Sequence, residues 1–179
     1  TISGKVNEYS FMDKLMNISV GVELRRPTRP QWQQLAKLRG DFTPYYYTSY
    51  AVGMTMPQQL DRPTSRRPGF ITGAAVGRQF SPLSGFRLGL DFNNAATRLA
   101  DAKVDRYTFT SLSLDYMFDI SNWVIGYDPE RKFGTEVFAG PVITHRFEPG
   151  KTYLGGEGGV RPYWRLGEQF DVFAESTLR

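Results

Sequence analysis

The residues equipped for chemistry in this 179-residue chain are carboxylates and arginines set at even intervals within apolar runs. Glu23, Asp91, Asp115, Glu136, Glu157, Asp171 and Glu175 all fall on the polar side of alternating segments, together with Arg87, Arg161, Arg165 and Arg179. Two acid pairs, Glu157 with Glu175 and Asp115 with Glu136, have the composition of a general acid–base couple. The arginines beside them favour a different reading. A guanidinium fork bridges several carboxylates at once, which suits an enclosed hydrogen-bonded network.

Other chemistries find fewer parts. The single histidine, His145, sits beside Arg146, and Thr144 is its nearest hydroxyl in sequence. A base-to-nucleophile pair oriented by a third group would make it a lipid-hydrolysing barrel enzyme, but no His-x-Ser-Asn signature is present. No catalytic residue is therefore assigned. With no cysteine, one histidine and no Asp-rich loop, neither a metal site nor a cofactor is expected. The run Gly155–Gly159 resembles a phosphate loop only in composition, since it lacks the Lys-Ser/Thr ending and a following helix. The Arg/Pro runs at 25–30 and 62–67 read as stiff solvated loops. If they hold an anion, lipid phosphate or an acidic partner comes before nucleic acid, for which no recognition motif exists.

The elements that must position these groups are strands. Period-two alternation runs through 14–24, 43–55, 69–80, 86–93, 107–118, 133–145, 152–166 and 170–179. The segment 86–93 is the cleanest, with Phe86, Leu88, Leu90 and Phe92 on one face and Arg87, Gly89, Asp91 and Asn93 on the other. In 107–118, Leu112, Leu114, Tyr116 and Phe118 oppose Ser111, Ser113 and Asp115. Such a strand is long for a soluble protein. Residues 25–30 break the first strand, 31–38 have room for a turn or two of helix, and Pro162 suggests a bulge. The alternation predicts an all-β chain: an antiparallel up-and-down transmembrane β-barrel of about eight strands in one domain, spanning 1–179.

Segregation of charge carries that reading. A lipid-facing Arg or Lys at the bilayer midplane costs about 2–4 kcal/mol, and nearly every strand charge here lies on the face opposite the apolar one. The interior network then consists of Glu23, Arg87, Asp91, Asp115, Glu136, Glu157, Arg161, Arg165, Asp171 and Glu175. Aromatics make up 15% of the chain, enough for belts at the membrane–water boundary. The expected belt is Tyr46, Tyr50, Phe80, Phe86, Tyr116, Phe118, Trp123, Tyr127 and Trp164, with Arg78 near a strand end snorkelling to headgroups. A soluble sandwich or lipocalin-like barrel is the competing fold. An eight-stranded barrel is filled by its own side chains, so no open pore is expected. Mean hydropathy is negative and no apolar run reaches the length of a membrane helix, but barrel strands hide in such averages.

With the strands placed, the run Ser113 to Phe133 (SLDYMFDISNWVIGYDPERKF) resembles the outer-membrane β-barrel proteins of Bacteroides and its relatives, as do Phe138–Pro141 and Phe170–Glu175. In that group a strand ending Asp-Tyr-x-Phe/Trp-Asp/Asn enters a Thr/Ser-Asn turn followed by Gly-Tyr-Asn-Pro-x-Arg-x-Phe. Asp128 stands here where Asn is common. The likeness covers about 69–179; residues 1–68 fit by strand pattern alone. It implies an outer-membrane location in a Gram-negative envelope, as for OmpA-like barrels, and it transfers no catalytic residue.

The resulting expectation is a non-enzymatic structural or scaffold barrel, or a subunit of a larger outer-membrane complex. It would contact outer-membrane lipid or lipopolysaccharide, and other outer-membrane proteins in the complex. A small-solute channel and a lipid-A-modifying enzyme are the alternatives. Putting the tight turns 81–85 and 166–168 in the periplasm places the first strand's start outside. Either the 179 residues belong to a longer barrel, which is favoured, or the orientation is inverted with 25–42 outside. The start at Thr1 is expected to reflect a removed signal peptide or a fragment.

Overall fold

The computed structural model describes residues 15–27, 41–57, 66–98, 104–148 and 150–179. They form eight antiparallel strands: β1 (Leu15–Pro27), β2 (Tyr45–Pro57), β3 (Arg66–Gln79), β4 (Ser84–Arg98), β5 (Val104–Asp119), β6 (Phe133–Arg146), β7 (Lys151–Arg165) and β8 (Phe170–Leu178). Among the described residues a single short helix, α1 (Ile120–Ile125), follows β5. Each strand pairs with the next and β8 pairs with β1, so the sheet closes in up-and-down order. The favoured expectation of a longer barrel is thereby corrected. Met16 lies opposite Leu178 and Leu24 opposite Phe170, which leaves no free edge for a further strand.

The stagger of the closed sheet follows from its register. Starting at Arg26, successive partners are Tyr46, Arg78, Phe86, Tyr116, Ala139, Gly158 and Leu178, and the circuit returns to β1 at Met16. The shear is thus ten residues over eight strands. With spacings of about 3.3 Å along and about 4.8 Å between strands, this sets a tilt of about 41° and a backbone radius of about 8 Å. Each tilted residue then climbs about 2.5 Å along the barrel axis.

Several boundaries move relative to the alternation pattern. β1 continues through Arg25 and Arg26 to Pro27, because Pro27 ends the ladder opposite Tyr45 instead of interrupting it. β4 extends from Asn93 to Arg98 and β5 begins at Val104, so 94–98 and 104 are ladder, not loop. Pro162 causes no bulge: Val160 opposite Ser176 and Tyr163 opposite Phe173 keep one register on either side of it. The proline interrupts pairing toward β8 while Thr135 on β6 still faces it. The register shift that does occur lies between Arg67 and Phe70, where β3 pairs with β4. The expected helix at 31–38 and most of the 62–67 run lie outside the described residues.

Inside, glycines face aromatic rings across the ladder. Tyr47 lies opposite Gly77, Phe138 opposite Gly159, Tyr163 opposite Gly134 and Phe173 opposite Gly21. A Cβ at any of these glycines would overlap the ring. An eight-stranded interior is narrow, and a large side chain fits where its neighbour has none.

Outside, the wall is apolar all the way round. Ile18, Val20, Tyr50, Met54, Phe70, Val76, Leu88, Leu90, Leu114 and Val160 are among its exposed residues. From Phe133 to Ile143 on β6 the band covers about 25 Å of axis. It gives way at one end to Asn94, Thr110, His145 and Thr152.

Candidate functional site

The barrel interior holds the charged residues in two layers. Nearer α1, Arg161 is 2% exposed and donates to Glu23, with Glu136 3.6 Å away. Its guanidinium carbon lies 3.8 Å from the ring centroid of Phe173. Arg25 pairs with Asp171 and, at 3.4 Å, with Glu23, and it stacks 5.1 Å from the Tyr45 ring. In the deeper layer Arg87 bridges Asp115, at 2.9 Å, and Glu175, at 2.5 Å, over the ring of Phe138. Arg179 bridges Glu157, at 2.5 Å, and Asp91.

Strand parity explains this assembly. Adjacent strands bring Glu23 opposite Asp171, Arg87 opposite Asp115 and Glu136 opposite Arg161. Longer reaches, such as Arg161 to Glu23 and Arg179 to Asp91, join strands that are not neighbours. Burial of so many ions is tolerable because each arginine of the two layers has carboxylate partners. An ion left unpaired there would carry its full desolvation cost.

Of the ten residues placed inside on sequence grounds, nine belong to these pairs. Arg165 also points inward, but it donates to the Pro129 carbonyl at 3.3 Å and lies 5.6 Å from the Tyr163 ring. Neither acid couple stands free for proton transfer. Glu157, Glu175, Asp115 and Glu136 each face an arginine.

The ten leave out Arg179, which the alternation places on a polar face, and two further interior residues: Arg25, within the run that the sequence gives as a loop, and Asp119, one residue past the strand that the alternation ends at Phe118. Asp119 caps α1, accepting from the Asn122 backbone N–H at 2.8 Å and its amide at 2.9 Å. It also accepts from the Tyr163 hydroxyl at 2.9 Å. Counting in twos from Glu23 and from Asp115 would have found both.

The expected belt residues divide by position. Tyr46, Phe80, Phe86, Tyr116, Trp123 and Trp164 are exposed on the outer wall toward the α1 end. Phe118 is half-buried, edge-on to Trp123 at 6.1 Å. Tyr50 is exposed but lies within the apolar band, where Thr72 donates to its hydroxyl at 2.9 Å. Tyr127 is instead turned over the barrel end, edge-on to Phe42 at 5.5 Å. Gly126, at φ 88°, reverses the chain just before it, a conformation that favours glycine.

At that end the barrel opens into a cavity of about 310 Å³, lined by Arg25, Tyr45, Asp119, Asn122, Arg131 and Arg165 among others. Arg131 helps to shape it, donating to Asn122 at 2.9 Å and to the Gly126 carbonyl at 2.7 Å. A smaller space of about 40 Å³ lies deeper, beside Asn17, Arg87 and Asp91. The arginine layers stand between the mouth and the far end. There the buried Asn17, Thr55 and Asn93 have side-chain polar atoms without a partner among the described residues, a setting that suits ordered water.

His145 lies at the edge of the outer wall, where its Nδ1 is 2.9 Å from the Thr152 hydroxyl and its ring meets Phe147 edge-on. Among the described residues no group of three potential ligands is arranged to hold a metal ion. Comparison with protein-family models, with curated proteins and with solved structures finds no match to this chain.

Proposed function

We propose that this chain is a non-enzymatic outer-membrane β-barrel of a Gram-negative envelope. It would serve as a structural or scaffold barrel, or as a subunit of a larger outer-membrane complex, with outer-membrane lipid and lipopolysaccharide as its surroundings. One observation carries the proposal: an apolar outer band about 25 Å tall encircles the barrel while its strand carboxylates are turned inward. In water that arrangement would expose a continuous hydrophobic surface far larger than the patches soluble monomers tolerate.

The orientation follows from connection length. The two longest links, 28–44 and 120–132, leave from the α1 end. Outer-membrane barrels keep longer loops outside, so we place the α1 end outside. This is the inverted arrangement, now that the longer barrel is set aside.

Cell fractionation tests the location. The protein should co-fractionate with the outer membrane and run with a heat-dependent gel shift; a soluble, heat-indifferent species would refute the reading. The mouth cavity gives a small-solute channel some support, and planar-bilayer recording separates the two, since a barrel filled by arginine layers should conduct little. For the lipid-modifying alternative, the hydrogen bond between His145 and Thr152 supplies a base and a hydroxyl. No carboxylate among the described residues orients the other ring nitrogen, as a triad requires. His145→Ala should leave lipid turnover in vesicles unchanged.

A further inference from the structure

Among the strand residues whose side chains are described, the outward face carries two arginines, Arg26 and Arg78, and no carboxylate. They are not scattered. Arg26 on β1 lies opposite Tyr46 on β2, and Tyr46 lies opposite Arg78 on β3. The row spans about 10 Å at ladder spacing. All three side chains are exposed, and the Arg78 guanidinium lies over the Tyr46 ring at 5.2 Å.

Their height matters as much as their spacing. The row sits at the α1 end of the apolar band, where other strands present Phe133, Trp164 and Phe170. Below it come Leu24, Val76 and Leu88. Two like charges are thus set at the edge of an apolar surface, and neither forms an ion pair with a described carboxylate of the strands around it. Every carboxylate of the neighbouring strand segments is inside the barrel, held by arginines of its own. Both guanidinium groups are thus open to an anion from outside the protein. At the edge of a hydrocarbon layer, the anion within reach is a headgroup phosphate. Guanidinium forks match phosphate oxygens in pairs, and a tyrosine hydroxyl adds a third donor.

We propose that Arg26, Tyr46 and Arg78 form a seat for the phosphate of an anionic lipid headgroup. This rests on the membrane-barrel reading above and goes further, naming a lipid chemistry and the sector of the wall that holds it. The two arginines share one phosphate or take neighbouring headgroups, and Tyr46 orients Arg78 by stacking beneath it. The sector acts as a fixed lipid position on the wall.

The test uses the whole chain folded in zwitterionic detergent, titrated with dioctanoyl-phosphatidylglycerol, dioctanoyl-phosphatidylcholine or inorganic phosphate, with retention read by native mass spectrometry. The wild-type chain should retain phosphatidylglycerol in preference to phosphatidylcholine. R26Q/R78Q should lose that preference by about fivefold per arginine, and R26K/R78K should keep most of it. A heat-shifted gel band confirms that each variant is folded. An unchanged preference in folded R26Q/R78Q overturns the inference and leaves the barrel reading intact. Occupancy by inorganic phosphate at the same concentrations overturns the lipid assignment. A wild-type chain that fails to enter phosphatidylcholine vesicles overturns the barrel reading, and the seat with it.

Discussion

Arg161 lies over the ring of Phe173 on the neighbouring strand, its guanidinium carbon 3.8 Å from the ring centroid, while its nitrogens face Glu23 and Glu136. One side chain thus joins β1, β6, β7 and β8 across the closing seam. Arg161→Met would remove the cation and keep most of the volume. It leaves buried carboxylates without their partner, which costs about 3–5 kcal/mol. Urea unfolding of the folded barrel, followed by tryptophan emission, should show a lower midpoint. Phe173→Leu should cost less, because the ion pairs survive it.

The Gly77–Tyr47 pair makes a steric prediction. A methyl group at Gly77 would overlap the Tyr47 ring, so Gly77→Ala should destabilise by about 1–3 kcal/mol. Tyr47→Leu carries its own cost through lost packing. The double variant should cost less than the sum of the singles, a coupling that a double-mutant cycle in urea measures. Additive behaviour would mean that the ring does not occupy the place of the missing side chain.

Leu114 and Asp115 are consecutive, yet one is half exposed outside and the other fully buried inside. Leu114→Arg should lower folding stability in phospholipid vesicles by about 2–4 kcal/mol. The same change at Phe80, which lies near the α1 rim, should cost about 0–1 kcal/mol. Equal effects at the two sites would place the band in water instead of hydrocarbon.

Asp119 collects three donors, two from Asn122 and one from Tyr163. Asp119→Ala should cost about 1–2 kcal/mol, in the range of a lost helix cap. Amide exchange should accelerate in 120–125 and at the mouth, while the ladder around Ser111 and Thr144, bonded to each other at 2.9 Å, stays protected. Uniform acceleration along the barrel would show that the capping contact serves the whole fold and not the mouth alone.

Much of this architecture is written in the period of the sequence. A period of two fixes which face each side chain takes, so Asp115 and Leu114 separate by counting alone. Counting cannot say where a ladder stops. The run Arg25-Arg26-Pro27 carries loop composition, but its neighbours on β2, and Gln169 just before β8, still offer partners, and the strand continues. Asp119 is hidden for the same reason, since its parity continues β5 while the following residues turn into α1. Pro162 misleads in the opposite direction, because one missing donor toward one neighbour need not shift the register. The pairs Arg161–Glu23 and Arg179–Asp91 depend on the curvature of a closed sheet, which no linear pattern encodes. The mouth cavity depends on how the connectors fold back, and Gly126 is the one local sign of it.

The seam between β1 and β8 joins strands from opposite ends of the described chain. Closing it is therefore the step of greatest sequence separation in the ladder, and such steps are paid in loop entropy before any contact rewards them. Until it closes, two rows of backbone donors and acceptors stay open, which hydrocarbon does not tolerate. On the proposed membrane reading, assembly and entry into the bilayer would be one event in time: the chain would not cross strand by strand, and the last strand made would decide when the first becomes stable.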